Sequence, residues 1–268
     1  MRSAVVVVKR FLASVSLLGT MSIGALPSYP CETIVKLAVT AMPVDCSARE
    51  QYSTADFFSR LIERHHWQAA CLDRLSVVRT YKVANSKGKT LALEVVVMEY
   101  MAPGTKTFTP TSGKGSEFIR HHVFQRLMEA EAKRARANKD PDSLITRENY
   151  TLEIIGKDRI GSSDCSVVHA IPKRTETDLF EGKIWIDNQD FAIVKITGHL
   201  AKSPSFWIKR VDFVRDYQKI DGFWLLSREE AVSAVRVYGK ETLTIDYQDD
   251  AVNGIGAIQA FLTSGQPG

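Results

Sequence analysis

The chain has 268 residues, a length that allows one large domain or two small ones. Its hydrophobic fraction of 44%, with 16 Gly and 9 Pro, excludes collagen-like, low-complexity and wholly disordered proteins. The net charge of +4 comes mostly from Arg2, Lys9 and Arg10 near the N-terminus. Without these three, 32 of the 35 basic residues remain against 31 acidic ones, a balance that argues against a nucleic-acid-binding protein.

The first thirty residues have the layout of a secretory signal peptide. A basic segment, Arg2–Arg10, precedes an apolar stretch, Phe11–Leu26, and turn-forming residues follow it. The apolar stretch is about sixteen residues long, which is short for a helix that spans a bilayer. We therefore predict a cleaved signal peptide over residues 1–30 and a lead-in segment over residues 31–53.

The four cysteines, Cys31, Cys46, Cys71 and Cys165, form no C-x-x-C pair, so the usual signatures of a zinc ribbon and a thioredoxin-type redox site are missing. An exported protein can carry disulfides, and we predict the pair Cys46–Cys71 because these two flank the first predicted helix. Four free or buried thiols are the open alternative. The residues before Cys31 are a poor lipobox, so we predict no lipid anchor there.

The first half of the body alternates between helix and strand signals. Thr54–His66 spaces its apolar residues for one face of a helix. The period then changes to two over Leu75–Val83, and after a turn a long return strand runs to Met101. A short strand is predicted at Lys106–Thr109, and Ser116 is the expected N-cap of a second helix.

That second helix is predicted to reach about Asn138, and almost everything after Asn149 reads as strand and turn. Short connections make consecutive strands antiparallel neighbours, and the absence of βαβ alternation excludes Rossmann and TIM-barrel architectures. The prediction is a mainly β (α+β) fold, an antiparallel sheet with helices inserted in its first half. The predicted strands are Tyr150–Ile155, Cys165–Pro172, Gly182–Asp187, Phe191–His199, Ser205–Tyr217, Gly222–Val237 and Glu241–Gln248.

The sequence contains no recognisable catalytic or metal-binding motif. It has no Walker loop, no Gly-x-Ser-x-Gly elbow and no His-Glu-x-x-His pair. The pairs His65-His66 and His121-His122 are adjacent on predicted helices, so their side chains diverge and cannot readily hold one metal ion. We therefore predict no enzyme activity, no catalytic residues, no metal and no cofactor, and a protein that holds a ligand.

A long antiparallel sheet with only two helices must fill its inner face, either with a packed core or with a ligand cavity. We predict an apolar cavity for acyl chains beneath a helical lid; a simple core is the alternative, and the inward face of each strand is ambiguous where both faces are apolar. The predicted lining residues are Phe57, Leu61, Val95, Val97, Tyr100, Phe108, Ile184, Ile186, Ile193, Phe213 and Trp224.

Five segments resemble the LolA/LolB superfamily, in its branch of outer-membrane lipoprotein-sorting proteins. They occur in the order found in that superfamily, and the resemblance as a whole covers about Thr54 to Asp250. The tail at residues 251–268 lies beyond them. The segments are Met98–Phe108, Ala170–Arg174, Gly182–Ile193, Ala201–Trp207 and Lys219–Leu225.

This resemblance implies an unclosed antiparallel half-barrel with a helical lid, located in the periplasm, that binds acyl chains of lipoproteins or lipids without catalysis. It also implies a membrane-embedded donor or acceptor protein as a partner, and no nucleic acid. Two departures leave the cargo open between a glycolipid, a phospholipid and a lipid-bearing protein. Met101 and Ala102 stand near the place of the basic residue that holds the LolA lid shut, and the helix from Ser116 is longer than in the compact carriers. The alternative is a sensor or interaction protein on the same fold, similar to RseB/MucB.

The signal-peptide prediction is tested by sequencing the N-terminus of the exported protein. We expect the mature chain to begin between about Ala25 and Glu32, because the apolar segment that follows the basic one ends at Leu26. An exported chain that still begins at Met1 would contradict the prediction.

Overall fold

The computed structural model describes residues 54–137, 145–176, 179–203, 208–235 and 239–253. The predicted signal peptide and lead-in segment, including Cys31 and Cys46, lie outside these ranges, as do residues 254–268 of the predicted tail. The first helix, α1, spans Thr54–Cys71. A second helical stretch, here called the inserted helix, consists of α2 (Glu117–Ile119), a π-helical segment (Arg120–Phe124) and α3 (Gln125–Ala137).

Ten strands in the described part of the chain form one antiparallel sheet in the order β3-β2-β1-β10-β9-β8-β7-β6-β5-β4. The edge strands β3 and β4 do not pair with each other, so the sheet stays open, and the predicted fold class is confirmed. The strands are β1 (Arg74–Asn85), β2 (Thr90–Met101), β3 (Thr105–Gly115), β4 (Tyr150–Ile160), β5 (Ser163–Pro172), β6 (Phe180–Asp187), β7 (Ile193–Leu200), β8 (Ile208–Ile220), β9 (Phe223–Val235) and β10 (Gly239–Val252).

The inserted helix separates the meander β1–β3 from the meander β4–β10. The last strand, β10, joins the two by pairing with β1 in the middle of the sheet. The predicted cap is confirmed, since the Ser116 hydroxyl accepts a hydrogen bond from the backbone N–H of Ile119. At the β8–β9 turn Asp221 and Gly222 both have positive φ, which suits a two-residue hairpin, and the Asp187 carboxylate accepts two backbone N–H bonds in the β6–β7 turn.

Three predicted strand ends fall short of the observed ones by four residues or more, each because tertiary pairing extends the strand. Strand β4 was predicted to end at Ile155 but continues to Ile160. Gly156 pairs with Val167 of β5, and the register shift before it leaves Ile155 as the extra residue of a bulge. Strand β3 reaches Gly115 because β2 pairs with it along its length. Strand β10 continues to Val252, beyond the expected end at 248, and the next residue, Asn253, binds backbone groups at the start of β1.

The core lies between one face of the sheet and the two helical stretches. Phe57, Phe58 and Leu61 of α1 and Phe124 of the inserted helix join the inward residues of the strands in one buried cluster. The ring of Phe124, which has no exposed surface, packs at 5.5 Å from that of Tyr81 in β1. Truncation of a buried Phe to Ala costs about 3–5 kcal/mol, so this helix contributes much of the core. No described helix is long and apolar enough to cross a membrane.

The cysteine prediction is tested by peptide mapping without reduction. In the structure Cys71 is disulfide-bonded, while Cys165 is free and buried. We expect a Cys46–Cys71 peptide and alkylation of Cys165 only after unfolding, because a buried thiol is shielded from the reagent. A peptide that links Cys71 to Cys31 instead would contradict the predicted pair.

Candidate ligand-binding cavity

A cavity with a volume of about 140 Å³, here called the main cavity, lies between the sheet and α1. Its wall is mostly apolar and aromatic. A cavity of this size in an apolar core accommodates roughly a benzene ring, so it holds a segment of an acyl chain rather than a whole one. The residues that line it are His65, Gln68, Ala69, Leu72, Leu75, Val77, Arg79, Met98, Tyr100, Pro103, Gly104, Lys106, Ala135, Arg215, Tyr217, Trp224, Leu225, Leu226 and Tyr247.

A second cavity of about 80 Å³ adjoins the main cavity beneath α1. Both are lined by His65, Gln68, Tyr217 and Trp224, so these residues form the partition between them. The partition is fixed by Gln68, whose side-chain amide donates to the Trp224 carbonyl and accepts from the Trp224 N–H, each at 2.9 Å. Burial lowers the pKa of His65 to about 4, with a smaller effect of neighbouring His66, so this imidazole is neutral at pH 7.

The partition belongs to a helix that is also held by an arginine and by stacked rings. The Arg64 guanidinium donates to the carbonyl of Gly222 in the β8–β9 turn and lies 4.2 Å from the centre of the Trp67 ring. Trp67 stacks on Phe223 at 5.5 Å. This hydrogen bond, the cation–π contact and the ring stacking hold α1 against the start of β9.

Charged side chains connect the inserted helix to the sheet beside the main cavity. The Glu131 carboxylate accepts hydrogen bonds from Arg79 Nη1 at 2.8 Å, Arg79 Nη2 at 3.1 Å and Lys106 Nζ at 2.8 Å. Arg79 is only 2% exposed, and its guanidinium also lies over the rings of Tyr247 and Phe108. The bidentate geometry and the burial make this a strong charge-assisted contact between α3 and the strands β1 and β3.

The electrostatic effect on each group follows from burial and from the opposite charges. Burial alone raises the pKa of Glu131, but Arg79 and Lys106 outweigh it and hold this pKa far below its usual range. Burial lowers the pKa of Lys106, and Glu131 partly opposes that shift. Burial raises the pKa of Tyr81 to about 12. Near neutral pH, Glu131 is therefore ionised and Tyr81 is neutral.

A second buried ion pair lies on strands β8 and β9. Arg215 Nη2 is 3.5 Å from Glu229 Oε1, and the two residues are directly opposite in the register. Burial raises the pKa of Glu229, and Arg215 only partly offsets the shift. This pair is longer and weaker than the contacts of Glu131, although both are enclosed in the same core.

The β2–β3 turn approaches the end of the inserted helix so closely that only glycine fits at position 104. A Cβ atom on Gly104 would overlap the carbonyl oxygen of Ala135. Gly104 and Ala135 both line the main cavity. The turn and the helix end therefore close one side of the cavity by backbone contact.

The structure brings some of the predicted lining residues to the cavities and places others in the core. Tyr100 and Trp224 line the main cavity, and Leu61, Ile193 and Trp224 line the second. The remaining inward residues belong to the buried cluster or pack against it: Phe57, Phe108, Ile184, Ile186 and Phe213.

Val95 and Val97 lie on the opposite face of β2 from the core. They alternate with fully buried Val96 and Met98, and it is Met98 that lines the main cavity. Successive side chains of a strand point to opposite faces. An assignment of the inward face that is wrong by one residue therefore exchanges all inward residues of the strand for outward ones.

Sequence reasoning missed the charged residues of the site, namely Arg79, Lys106, Glu131, Arg215 and Glu229. A signal was present for one of them, because Arg79 stands between Val77 and Tyr81 in the apolar row of an alternating strand. A charge in such a row has to be paired when it is buried. The identity of its partner depends on where the inserted helix packs, which no local pattern specifies.

No group of three or more His, Cys, Asp or Glu side chains that could hold a metal ion occurs among the residues described here. The adjacent His65 and His66 rings are 6.5 Å apart. The positive side chains around the main cavity are instead suited to an anion.

Comparison with known proteins gives remote likenesses. A protein family described as an "Uncharacterized protein" matches residues 133–249. Among curated proteins none matches the chain.

Solved structures with a similar fold include a DUF1329 family protein from Desulfovibrio piger, at 11% identity and a TM-score of 0.39, over 74% of this chain and 92% of that one. A LolA superfamily protein from Nitrosomonas europaea matches at 12% identity and a TM-score of 0.34, over 73% of this chain and 93% of that one. A putative outer membrane lipoprotein-sorting protein domain from Vibrio parahaemolyticus matches at 11% identity and a TM-score of 0.39, over 75% of this chain and 94% of that one.

Structures of MucB, alone and in complex with MucA, also match, with TM-scores of 0.24 to 0.27. The LolA superfamily protein and the lipoprotein-sorting domain belong to the group that the five sequence segments resemble. At such low identities and TM-scores, function has to be argued from the residues of this chain.

The contact between Glu131 and the sheet is tested by the substitution Glu131→Gln. It leaves buried Arg79 without its counter-charge, and we expect the free energy of unfolding to fall by about 3–5 kcal/mol. The control is Glu129→Gln on the exposed side of the same helix, which should change it by less than about 0.5 kcal/mol. Denaturant unfolding monitored by circular dichroism gives both values.

The pH dependence checks the same contact independently. Because the folded pKa of Glu131 is depressed, its stabilising contribution is present above the unfolded pKa near 4.5 and is lost as the pH falls from there towards the folded pKa. The difference between wild type and Glu131→Gln should therefore shrink below about pH 4.5. A difference that stays constant down to pH 3 would contradict the ionic interpretation.

Proposed function

We propose that this protein is a non-enzymatic periplasmic carrier that binds acyl chains of lipoproteins or lipids and serves their sorting to the outer membrane. The observation that carries the proposal is the main cavity, an apolar space that the side chains of the half-barrel leave unfilled. Well-packed cores contain few voids larger than a water molecule, so a space of this size in a ligand-holding fold is a candidate binding site.

An acyl chain longer than the cavity has to displace a helix. The second cavity continues the space beneath α1 and is separated from the main cavity by the Gln68–Trp224 partition. Displacement of α1 would join the two and open a longer apolar channel. The helices therefore act as the lid, and the ligand gains apolar contact that offsets the helix contacts it breaks.

A second candidate function is a sensor or interaction protein, and it is favoured by the sheet edge at β4, which pairs only with β5 among the described strands. Ile154 and Ile155 are adjacent on this edge strand and are 41% and 50% exposed. An exposed apolar edge can add a strand from a partner protein. This surface is on the far side of the sheet order from β3, so it is compatible with carriage of a ligand as well as with an interaction role.

The carrier proposal is tested by titration with a neutral fluorescent acyl ester. We expect wild type to bind it and the substitution Ala69→Phe to weaken binding at least tenfold, because Ala69 lines the main cavity and a phenyl ring would fill it. The matched control is Ala70→Phe, since Ala70 is the exposed neighbour on α1 and lines neither cavity. Melting curves of both variants check that the fold is retained.

Two outcomes would count against the proposal. If wild type does not bind the ester, the carrier function is wrong. If Ala69→Phe binds the ester as tightly as Ala70→Phe does, the acyl group of the ester does not occupy the main cavity.

A further inference from the structure

The main cavity is apolar but its charged lining residues are all cationic. Arg79, Lys106 and Arg215 line it, and no Asp or Glu side chain of the described residues does. The two described carboxylates that pair with these cations, Glu131 and Glu229, are not part of the wall. Within the described part of the chain, the charge at the wall of the cavity is therefore positive.

Arg79 and Arg215 lie on the inward face of the sheet, in rows that are two residues apart. Arg79 of β1 is directly opposite Tyr247 of β10, and its guanidinium is 4.8 Å from the centre of that ring. Arg215 of β8 is opposite Glu229 of β9, which in turn faces Ile245 of β10, two residues from Tyr247. Both cations therefore reach the cavity from the sheet, while α1 and the start of β9 supply its apolar side.

Of the three cations, Arg215 has the longest ion pair. Arg79 and Lys106 each bind Glu131 at 2.8 Å, whereas Arg215 lies 3.5 Å from Glu229 and also interacts with Tyr217. The Nε atoms of Arg215 and Arg79 are both buried and have no hydrogen-bond partner among the described residues, but the other two guanidinium nitrogens of Arg79 bind Glu131. An unsatisfied buried donor is costly unless a ligand satisfies it, and a guanidinium is the group best suited to a carboxylate or phosphate. Burial also raises the pKa of Glu229, which weakens that residue as a competing anion.

We propose that the main cavity selects amphiphiles with an acidic headgroup, a carboxylate or a phosphate, which binds Arg215 while the acyl chain lies against Leu72, Leu225 and Leu226. This inference rests on the proposed carrier function and adds the chemical class of the cargo. Arg79 and Lys106 add to the attraction through their charge, because the surrounding low dielectric strengthens it. A neutral amphiphile of the same length offers Arg215 only an uncharged oxygen, which is a weaker acceptor for a guanidinium than a carboxylate or phosphate.

The test is displacement of the neutral fluorescent acyl ester at pH 8 by four amphiphiles with the same twelve-carbon chain, roughly the size of a small lipid tail. These are dodecanoate, dodecyl phosphate, dodecanol and dodecylamine, each below its micelle concentration. We expect wild type to bind at least one of the two acids at least tenfold more tightly than the alcohol, and the amine more weakly than the alcohol. Whichever acid binds more tightly identifies the headgroup.

The variant Arg215→Gln should remove the preference for the acids and leave the affinity for dodecanol nearly unchanged. Its matched control is Arg210→Gln, an exposed arginine on the same strand, which should retain the preference. Since Arg215→Gln leaves Glu229 buried without its partner, the double variant Arg215→Gln/Glu229→Gln is measured beside it. The double variant removes both charges together, and it should fold and also bind acid and alcohol equally.

The outcomes separate the two proposals. Equal binding of acid, alcohol and amine by wild type would overturn the acidic-headgroup inference and leave the carrier function standing. A folded double variant that still prefers the acids would overturn the role of Arg215. If the ester itself does not bind wild type, the carrier function fails, and the inference fails with it.

Discussion

The buried salt bridge of Glu131 with Arg79 and Lys106 is the interaction on which the packing of the inserted helix against the sheet depends. Arg79 is 2% exposed, and a charge so deeply buried is tolerated only with a counter-charge in good geometry. Glu131 supplies it from the inserted helix, with three hydrogen bonds of 2.8 to 3.1 Å. The helix cannot leave the sheet unless another anion replaces this carboxylate or water reaches Arg79.

The two helical stretches contact the sheet differently. The inserted helix adds a buried salt bridge to its apolar contacts, whereas α1 is held by the Gln68–Trp224 hydrogen bonds and by the stacking of Trp67 on Phe223. Under the proposed function, an apolar chain would compete with the contacts of α1 because it offers the same kind of surface. The proposed acidic headgroup would then interact with the cations of the sheet, so the apolar and cationic sides of the main cavity would match the two ends of one amphiphile.

Much of the fold could be predicted from local pattern, and the misses have a common cause. The cap at Ser116, the Asp221-Gly222 turn and the alternation of Leu75–Val83 are local features, because neighbouring residues determine them. Strand β4 was predicted to end at Ile155, but its pairing with β5 extends it to Ile160 across a bulge at Ile155. The inward face of β2 was ambiguous because apolar residues occupy both faces, and only packing against the helices buries Met98 rather than Val97.

By itself the sequence determined the class of the fold, an open antiparallel sheet with inserted helices, because hydrophobic periodicity and turn chemistry are written in neighbouring residues. It also placed Arg79 in an apolar row without revealing its partner. The tertiary structure alone decided that Glu131, 52 residues away, and Lys106 meet it, and that Arg215 lines the same cavity. Such contacts depend on where a helix docks and on which strands become neighbours, and long-range packing energy sets both.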